Sequence, residues 1–270
     1  MSQWLQFYFQ ESNSPNSIDL MWLNDWGLMV SSFVSGFVMY MMFTMITNDT
    51  SFLKFSDHQL LETLWTTLPI LLLVIMAVPS ISILYLHDSA KTWTQIQTPY
   101  PLQEIQNSND ILEESKWIED TPPNDGLIVK VTGNQWYWTY EYTPWIPLLK
   151  NLSFDSYLIQ HQDPDTTNNS LLNYRQMNVD NELVLPAWTQ IKFIVSSNDV
   201  IHSFAVPSLS LKIDTIPGTS AQFNINMSLT GQFTGFCMEL CGTGHANMPI
   251  VIHATHPVYF CAWMMKSIAL

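Results

Sequence analysis

Residues 26–46 read WGLMVSSFVSGFVMYMMFTMI, and no charged residue occurs between Asp25 and Asp49. About 20 apolar or small residues are what a helix needs to cross a hydrocarbon core roughly 30 Å thick. A buried helix of a soluble core seldom stays uncharged beyond about 18 residues, so this stretch is read as a membrane span. The next uncharged run, TLWTTLPILLLVIMAVPSISILYL from Thr63 to Leu86, is read as a second span. Within it Pro69 is expected in the first helical turn, while Pro79 would kink a helix that its neighbours must support. Two spans form a hairpin, so the N-terminal tail and everything after Leu86 are expected on one side of the membrane. Lys54 is the only Lys or Arg of the connecting loop and the tail 1–25 has neither, which points the loop to the inside face. With three acids and no basic region ahead of it, the first span does not resemble a cleaved signal and is expected to be retained.

Outward from the hairpin the composition changes. Residues 89–125 are rich in Gln, Asn, Thr, Pro and acid without a period of 2 or 3.6, and are read as an exposed insertion carrying seven acids. After Gly126 come short β-rich runs between turn signals: LIVKVT, NQWYWTYEYT, ELVLP, QIKFIVS, HSFAV, AQFNINM, GQFTGFC and PIVIHA. This pattern spells an antiparallel β-sandwich or barrel. The polar stretch Gln160 to Asn173 is read as a surface loop, and the tail from Pro257 to Ala269 as a candidate short helix. Nine Lys plus Arg against 23 Asp plus Glu give a formal charge of −14, which excludes nucleic acid as a partner and favours a cationic one.

The chemistry sits near the C-terminal end. Cys237, Cys241, His245 and Met248 read C-x3-C-x3-H-x2-M, and His202 opens another β-run upstream. Three cysteines are too few for a disulfide scaffold. Thiolate, imidazole and thioether together favour copper, whereas structural zinc is usually held by Cys and His without Met. A one-copper blue site needs one Cys, two His and a weak Met; the second thiolate is extra. Two thiolates on one loop can bridge two metal ions, leaving each ion one His and one weak ligand, with Met248 and the Glu239 carbonyl as candidates. Buried core cysteines are the alternative. Five donors of the right softness, with Gly242 and Gly244 bending the loop, argue against it. Cys261 has no such company and is read as an ordinary apolar side chain.

The loop CMELCGTGHANMP, the upstream DVIHSFAVPSL, the segment LKIDTIPG and the aromatic QWYWTYEY, following a two-helix hairpin, closely resemble cytochrome c oxidase subunit II. The resemblance implies a two-helix transmembrane hairpin followed by an all-β cupredoxin-like Greek-key sandwich. With the composition read above, the chain divides into an N-terminal tail (1–25), the hairpin (26–88), the acidic insertion (89–125), which is longer than the usual family connection, a cupredoxin domain with a binuclear copper site (126–256) and a C-terminal tail (257–270). The resemblance assigns copper A to His202, Cys237, the backbone carbonyl of Glu239, Cys241, His245 and Met248. To the Glu239 side chain it assigns a magnesium ion shared with subunit I. Trp136 matches the tryptophan through which the electron from cytochrome c enters, and Glu62 an acid at the entrance of a proton path into subunit I. Glu141, Asp155, Asp180 and Asp199 match acids of the docking surface for cytochrome c. After Tyr142 the stretch TPWIPLLKNLSFDSY departs from the pattern, having Pro, Trp, Ile and Lys where relatives are usually acidic.

Each of these positions also has a plainer reading. Strand alternation makes most of the aromatic cluster packing, an acid at a helix N-terminus is favoured by the helix dipole, and surface acids are ordinarily solvated. Neither span contains a His, so oxygen reduction would lie elsewhere. The resemblance places it in subunit I, with haem a, haem a3 and copper B, coupled to proton pumping. The chain is then the electron-receiving subunit of a proton-translocating oxidoreductase, with subunit I, other oxidase subunits, cytochrome c and the lipid membrane as partners. The implied location is the mitochondrial inner membrane with the copper domain in the intermembrane space; a bacterial plasma membrane is the alternative. Quinol oxidase subunit II shares the architecture without the copper ligands, and nitrous oxide reductase joins the same loop to a large catalytic domain absent here. A membrane-tethered copper chaperone or storage protein and a structural zinc domain are the rivals from other functional classes.

Overall fold

A computed structural model describes residues 7–49, 57–88, 127–143, 151–159 and 176–269. The acidic insertion 89–125 and the loop 160–173 lie outside the described residues. The chain divides into two compact units, the helical hairpin and the β-domain.

The hairpin consists of α1 (Pro15–Thr47) and α2 (Gln59–Asp88), both long and apolar enough to cross a membrane. α1 starts well before Trp26 because Ser14 caps it, accepting from the Ser17 N–H at 3.1 Å, and Pro15 takes the first position, where no N–H is needed. The polar residues ahead of the apolar run are thus helical, although they belong to no lipid-length stretch. α2 likewise starts early. The His58 ring Nδ1 accepts from the Leu61 N–H at 3.1 Å, so Pro69 lies in the helix interior rather than in its first turn. Hydroxyls within the spans turn back onto carbonyls three or four residues earlier: Thr44 on Met41, Thr66 on Glu62, Thr67 on Thr63 and Ser82 on Val78. This leaves no hydroxyl proton of these four to face hydrocarbon.

Among the described residues, the β-domain has ten strands in two five-stranded sheets. They are β1 (Leu127–Asn134), β2 (Tyr137–Thr143), β3 (Leu152–Ser156), β4 (Leu183–Pro186), β5 (Gln190–Ser197), β6 (His202–Val206), β7 (Leu211–Thr215), β8 (Ala221–Asn226), β9 (Gly231–Cys237) and β10 (Pro249–Thr255). One sheet runs β3-β2-β1-β5-β8 and the other β4-β10-β9-β6-β7. The pairs β1/β5 and β4/β10 are parallel, a correction to the all-antiparallel reading. An apolar alternation of period 2 is the same for either direction. β3 and β7, absent from the β-rich runs named above, are sheet edges whose short polar sequences bury little.

Alternation along β2 turns Trp138, Tyr140 and Tyr142 into the core, fully buried, against Phe193 and Phe204. Trp138 meets Phe204 edge-on at 5.3 Å and donates to the carbonyl of Met248 at 3.2 Å. Tyr142 donates to the Val184 carbonyl at 2.8 Å and packs on Trp263 of α3 (Pro257–Ala269). Ahead of α1, Asn13 is joined to the β-domain. Its N–H donates to Ser208 O at 2.8 Å, and its backbone and side-chain oxygens accept from the N–H groups of Ser228 and Leu229.

Three chain segments meet at one end of the sandwich. β9 ends at Cys237, β10 begins at Pro249, and the loop between them carries Cys241, His245 and Met248. β6 runs antiparallel to β9 with Phe204 opposite Cys237, which brings His202, the first residue of β6, to the same end. The β1–β2 turn at Gln135 and Trp136 closes over them, so near that a Cβ on Gly133 would fall 2.9 Å from the His202 ring.

Candidate metal centre

The donors predicted from sequence converge in the folded domain. The ligand atoms of His202, Cys237 and Cys241 all lie within 4.8 Å of one another. Cys237 Sγ is 3.9 Å from His202 Nδ1, 3.9 Å from Cys241 Sγ and 3.3 Å from the Glu239 carbonyl oxygen. Cys241 Sγ is 3.6 Å from His245 Nδ1 and 3.6 Å from Met248 Sδ. His202 is fully buried and Met248 is 2 % exposed, so the cluster is walled off on the protein side. Glu239 is divided: its carbonyl faces the thiols, whereas its side chain is exposed. The set of two thiols, two imidazoles, a thioether and a carbonyl exceeds what four-coordinate zinc uses and suits soft copper.

The electrostatics separate the two thiols. Burial alone would raise Cys237, but hydrogen bonding with His202 and with the backbone of Ser203 and Glu239 outweighs it and brings the thiol down to about 7. Burial pushes the Cys241 thiol up to about 12, and the charge of Cys237 beside it adds to the shift. For His202, burial disfavours the charged ring, yet its bonds to Cys237 and Asp199 raise its pKa overall.

A surrounding layer orients these ligands. His202 Nε2 lies 2.8 Å from Asp199 Oδ1, which leaves Nδ1 turned to Cys237. Asp199 Oδ1 also accepts from the Val200 N–H at 2.6 Å, and Oδ2 from the Gln135 N–H at 2.6 Å. Burial works against the Asp199 charge, but these bonds hold its carboxyl below the usual range. The Gln135 side-chain amide donates to the Cys241 carbonyl at 2.8 Å. Trp136 leaves the β2 core face and lies on the metal loop: a Cβ on Gly244 would fall 2.3 Å from its Cδ2, and one on Gly242 3.2 Å from its Cζ2.

The remaining predicted residues are spread more widely. Glu141 pairs with Lys130 at 3.5 Å and accepts from Asn151. Asp155 accepts from Thr139 at 2.7 Å, and Asp180 caps the Tyr157 and Asn181 N–H groups. Since Thr139 and Glu141 alternate with core residues, Glu141 and Asp155 lie on the outer face of β2 and β3. Tyr137 and Tyr157, stacked at 4.4 Å, continue β2 and β3 toward the metal end. Asp199 is instead engaged through both oxygens beneath the β1–β2 turn. Glu62 stands in the first turn of α2, in the other unit. Sequence reasoning missed Gln135 and the inward role of Asp199, since their bonds span 64 and 106 residues. The one available signal was their place beside Trp136 and three residues before His202.

Comparison with known proteins gives a consistent result. The family described as cytochrome c oxidase subunit II, periplasmic domain, matches residues 127–255, and its transmembrane-domain counterpart matches residues 2–83. Cytochrome c oxidase subunit 2 of Sitophilus granarius is 35 % identical over 267 residues, covering 99 % of this chain and 100 % of that protein. The corresponding protein of Apis mellifera ligustica is 34 % identical over 268 residues, with the same coverage. Among solved structures, the periplasmic domain of subunit II of cytochrome oxidase of Bradyrhizobium japonicum is 38 % identical, covering 54 % of this chain and 96 % of that one, with a TM-score of 0.45.

Proposed function

The chain belongs to the cytochrome c oxidase subunit II family, and on that premise we propose that it receives electrons from reduced cytochrome c on behalf of the oxidase complex. The observation that carries this reading is the convergence of six soft or neutral donor groups beneath a single indole ring. His202, Cys237, the Glu239 carbonyl, Cys241, His245 and Met248 would hold a binuclear copper A centre. When bound, that centre would supply one-electron chemistry between cytochrome c and subunit I, the subunit that would hold haem a, haem a3 and copper B for reduction of oxygen to water coupled to proton pumping.

The chain's own residues do the rest. Asp199 holds the His202 ring with Nδ1 aimed at the thiols. Trp138 and the β6–β9 pairing fix the loop from below, which keeps the donors in place whichever charge they carry. Trp136 offers a large π-system over the ligand loop as the place where the electron enters. Glu141, Asp155 and Asp180 steer a basic partner, and Asp199 adds charge at the edge of the turn. The exposed Glu239 carboxylate is free to bind magnesium jointly with subunit I, while Glu62 marks the entrance of a proton path. The hairpin holds the chain in the mitochondrial inner membrane, with the copper domain in the intermembrane space. The insertion 89–125 supplies further acid or contacts another subunit.

The test is metal content together with electron paramagnetic resonance on the purified full chain. Two coppers sharing one unpaired electron, lost in Cys237→Ser and in Cys241→Ser, are the expected result. A single copper, or a preference for zinc under the same conditions, would overturn the reading in favour of a chaperone or a structural domain.

A further inference from the structure

Gln135 carries no soft donor, yet it joins the parts of the site that come from different segments. Its N–H donates to Asp199 Oδ2 at 2.6 Å, and the other oxygen of that carboxylate lies 2.8 Å from His202 Nε2. Its side-chain amide reaches across the site to the Cys241 carbonyl at 2.8 Å. One residue is therefore tied to the segments that supply both His202 and Cys241, and the next residue in the chain is Trp136. The indole is stopped on the loop side by Gly242 and Gly244, where an added Cβ would meet the ring within 3.2 Å and 2.3 Å. Its own Nε1 is buried and has no hydrogen-bond partner among the described residues. Contact blocks movement inward, but no directional bond from the ring restrains it from lifting or sliding outward. That restraint comes from the residue before it.

We propose that Gln135 is a positioning residue that fixes the Trp136 ring against the loop carrying Cys241 and His245. It rests on the reading of Trp136 as the place where the electron from cytochrome c enters. Without the amide bond, the turn keeps its link to Asp199 but loses its link to the metal loop, so the ring can rise from its glycine seat. Electron transfer between weakly coupled groups slows steeply as they separate, so a ring lifted from the loop would pass its electron more slowly.

The experiment uses the assembled oxidase carrying Gln135→Leu, Trp136→Phe or both. Electron injection from bound, photoreduced cytochrome c is followed in time, with copper content, the paramagnetic spectrum and steady-state KM measured beside it. In Q135L injection should slow several-fold, while copper content, spectrum and KM stay as in the wild type. In the W136F background Q135L should add no further loss, because a residue that acts through the ring has nothing left to position. Wild-type injection in Q135L overturns the proposal. So does a loss that persists undiminished in W136F, or an altered spectrum, which would assign Gln135 to the metal ligands instead. If Q135L fails to assemble, Gln135→Asn takes its place with the same expectations, since it keeps the amide but falls short of Cys241. Injection at wild-type rate in W136F alone, or a wild-type complex without two coppers, would overturn the reading of the site and this inference with it.

Discussion

Gly242 and Gly244 stand two residues apart in the metal loop and are glycine for different reasons. Gly242 has φ +122, a conformation that side-chain-bearing residues rarely adopt, whereas Gly244 has φ −90 and is constrained by the Trp136 ring above it. Gly244→Ala should therefore leave the loop backbone and its metal intact but displace the indole, slowing electron acceptance from cytochrome c several-fold. Gly242→Ala should strain the backbone, costing about 1–2 kcal/mol, and appear first as a lower Tm. The thiols make a second prediction at this scale. Metal binding requires both as thiolates, and Cys241 is pushed up to about 12 while Cys237 is brought down to about 7. Between these values uptake must expel the Cys241 proton, so apparent copper affinity should rise about tenfold per pH unit. Below about 7 the Cys237 proton must leave too, and affinity should fall more steeply as the pH drops. Chelator competition across pH measures this, and a flat profile would contradict it.

At the scale of elements, what the sequence revealed depends on what each element must satisfy. A span in lipid must be apolar throughout, so the apolar cores of α1 and α2 were legible in residues 26–46 and 63–86. Their starts were not, because they depend on caps from Ser14 and His58. Central strands alternate and were legible, but the parallel pairings and the edge strands β3 and β7 leave no mark of their own in a period-2 pattern. The soft donors were legible because thiols, imidazole and thioether seldom cluster by chance. The Gln135 bonds and the link from Asn13 were not, since ordinary polar residues reveal nothing of partners so far along the chain. Asn13 is fully buried and its side-chain oxygen accepts from the Leu229 N–H. Asn13→Ala should leave that N–H unpaired and lower unfolding stability by about 1–3 kcal/mol, while Asn13→Asp, which keeps the acceptor but buries a carboxylate, should cost at least as much. Denaturant titration of the full chain in detergent compares the two.

Taken as a whole, the molecule is an acidic one, with a formal charge of −14, and that charge acts at two ranges. Glu141 and Asp155 lie on the outer face of β2 and β3 and, among the described residues, their carboxylates are bound only to neighbouring surface groups, so their charge reaches solvent. Asp199 has both oxygens committed to His202, Val200 and Gln135, and its first effect is on the ring it holds. The two kinds of acid should therefore separate under salt. A charge that steers a basic partner is screened over a Debye length of about 10 Å at 0.1 M and about 3 Å at 1 M salt, whereas a buried contact is screened far less. The double substitution Glu141→Gln and Asp155→Asn should raise the KM for cytochrome c several-fold at low salt, leave kcat and the copper spectrum unchanged, and lose its effect as salt rises. Asp199→Asn should instead alter the copper spectrum at every ionic strength, since the His202 ring loses its charged partner. If D199N behaved like the surface pair, the carboxylate would belong to docking alone. If the surface pair shifted the spectrum, the outer face of β2 and β3 would be coupled to the metal in a way that none of its bonds explains.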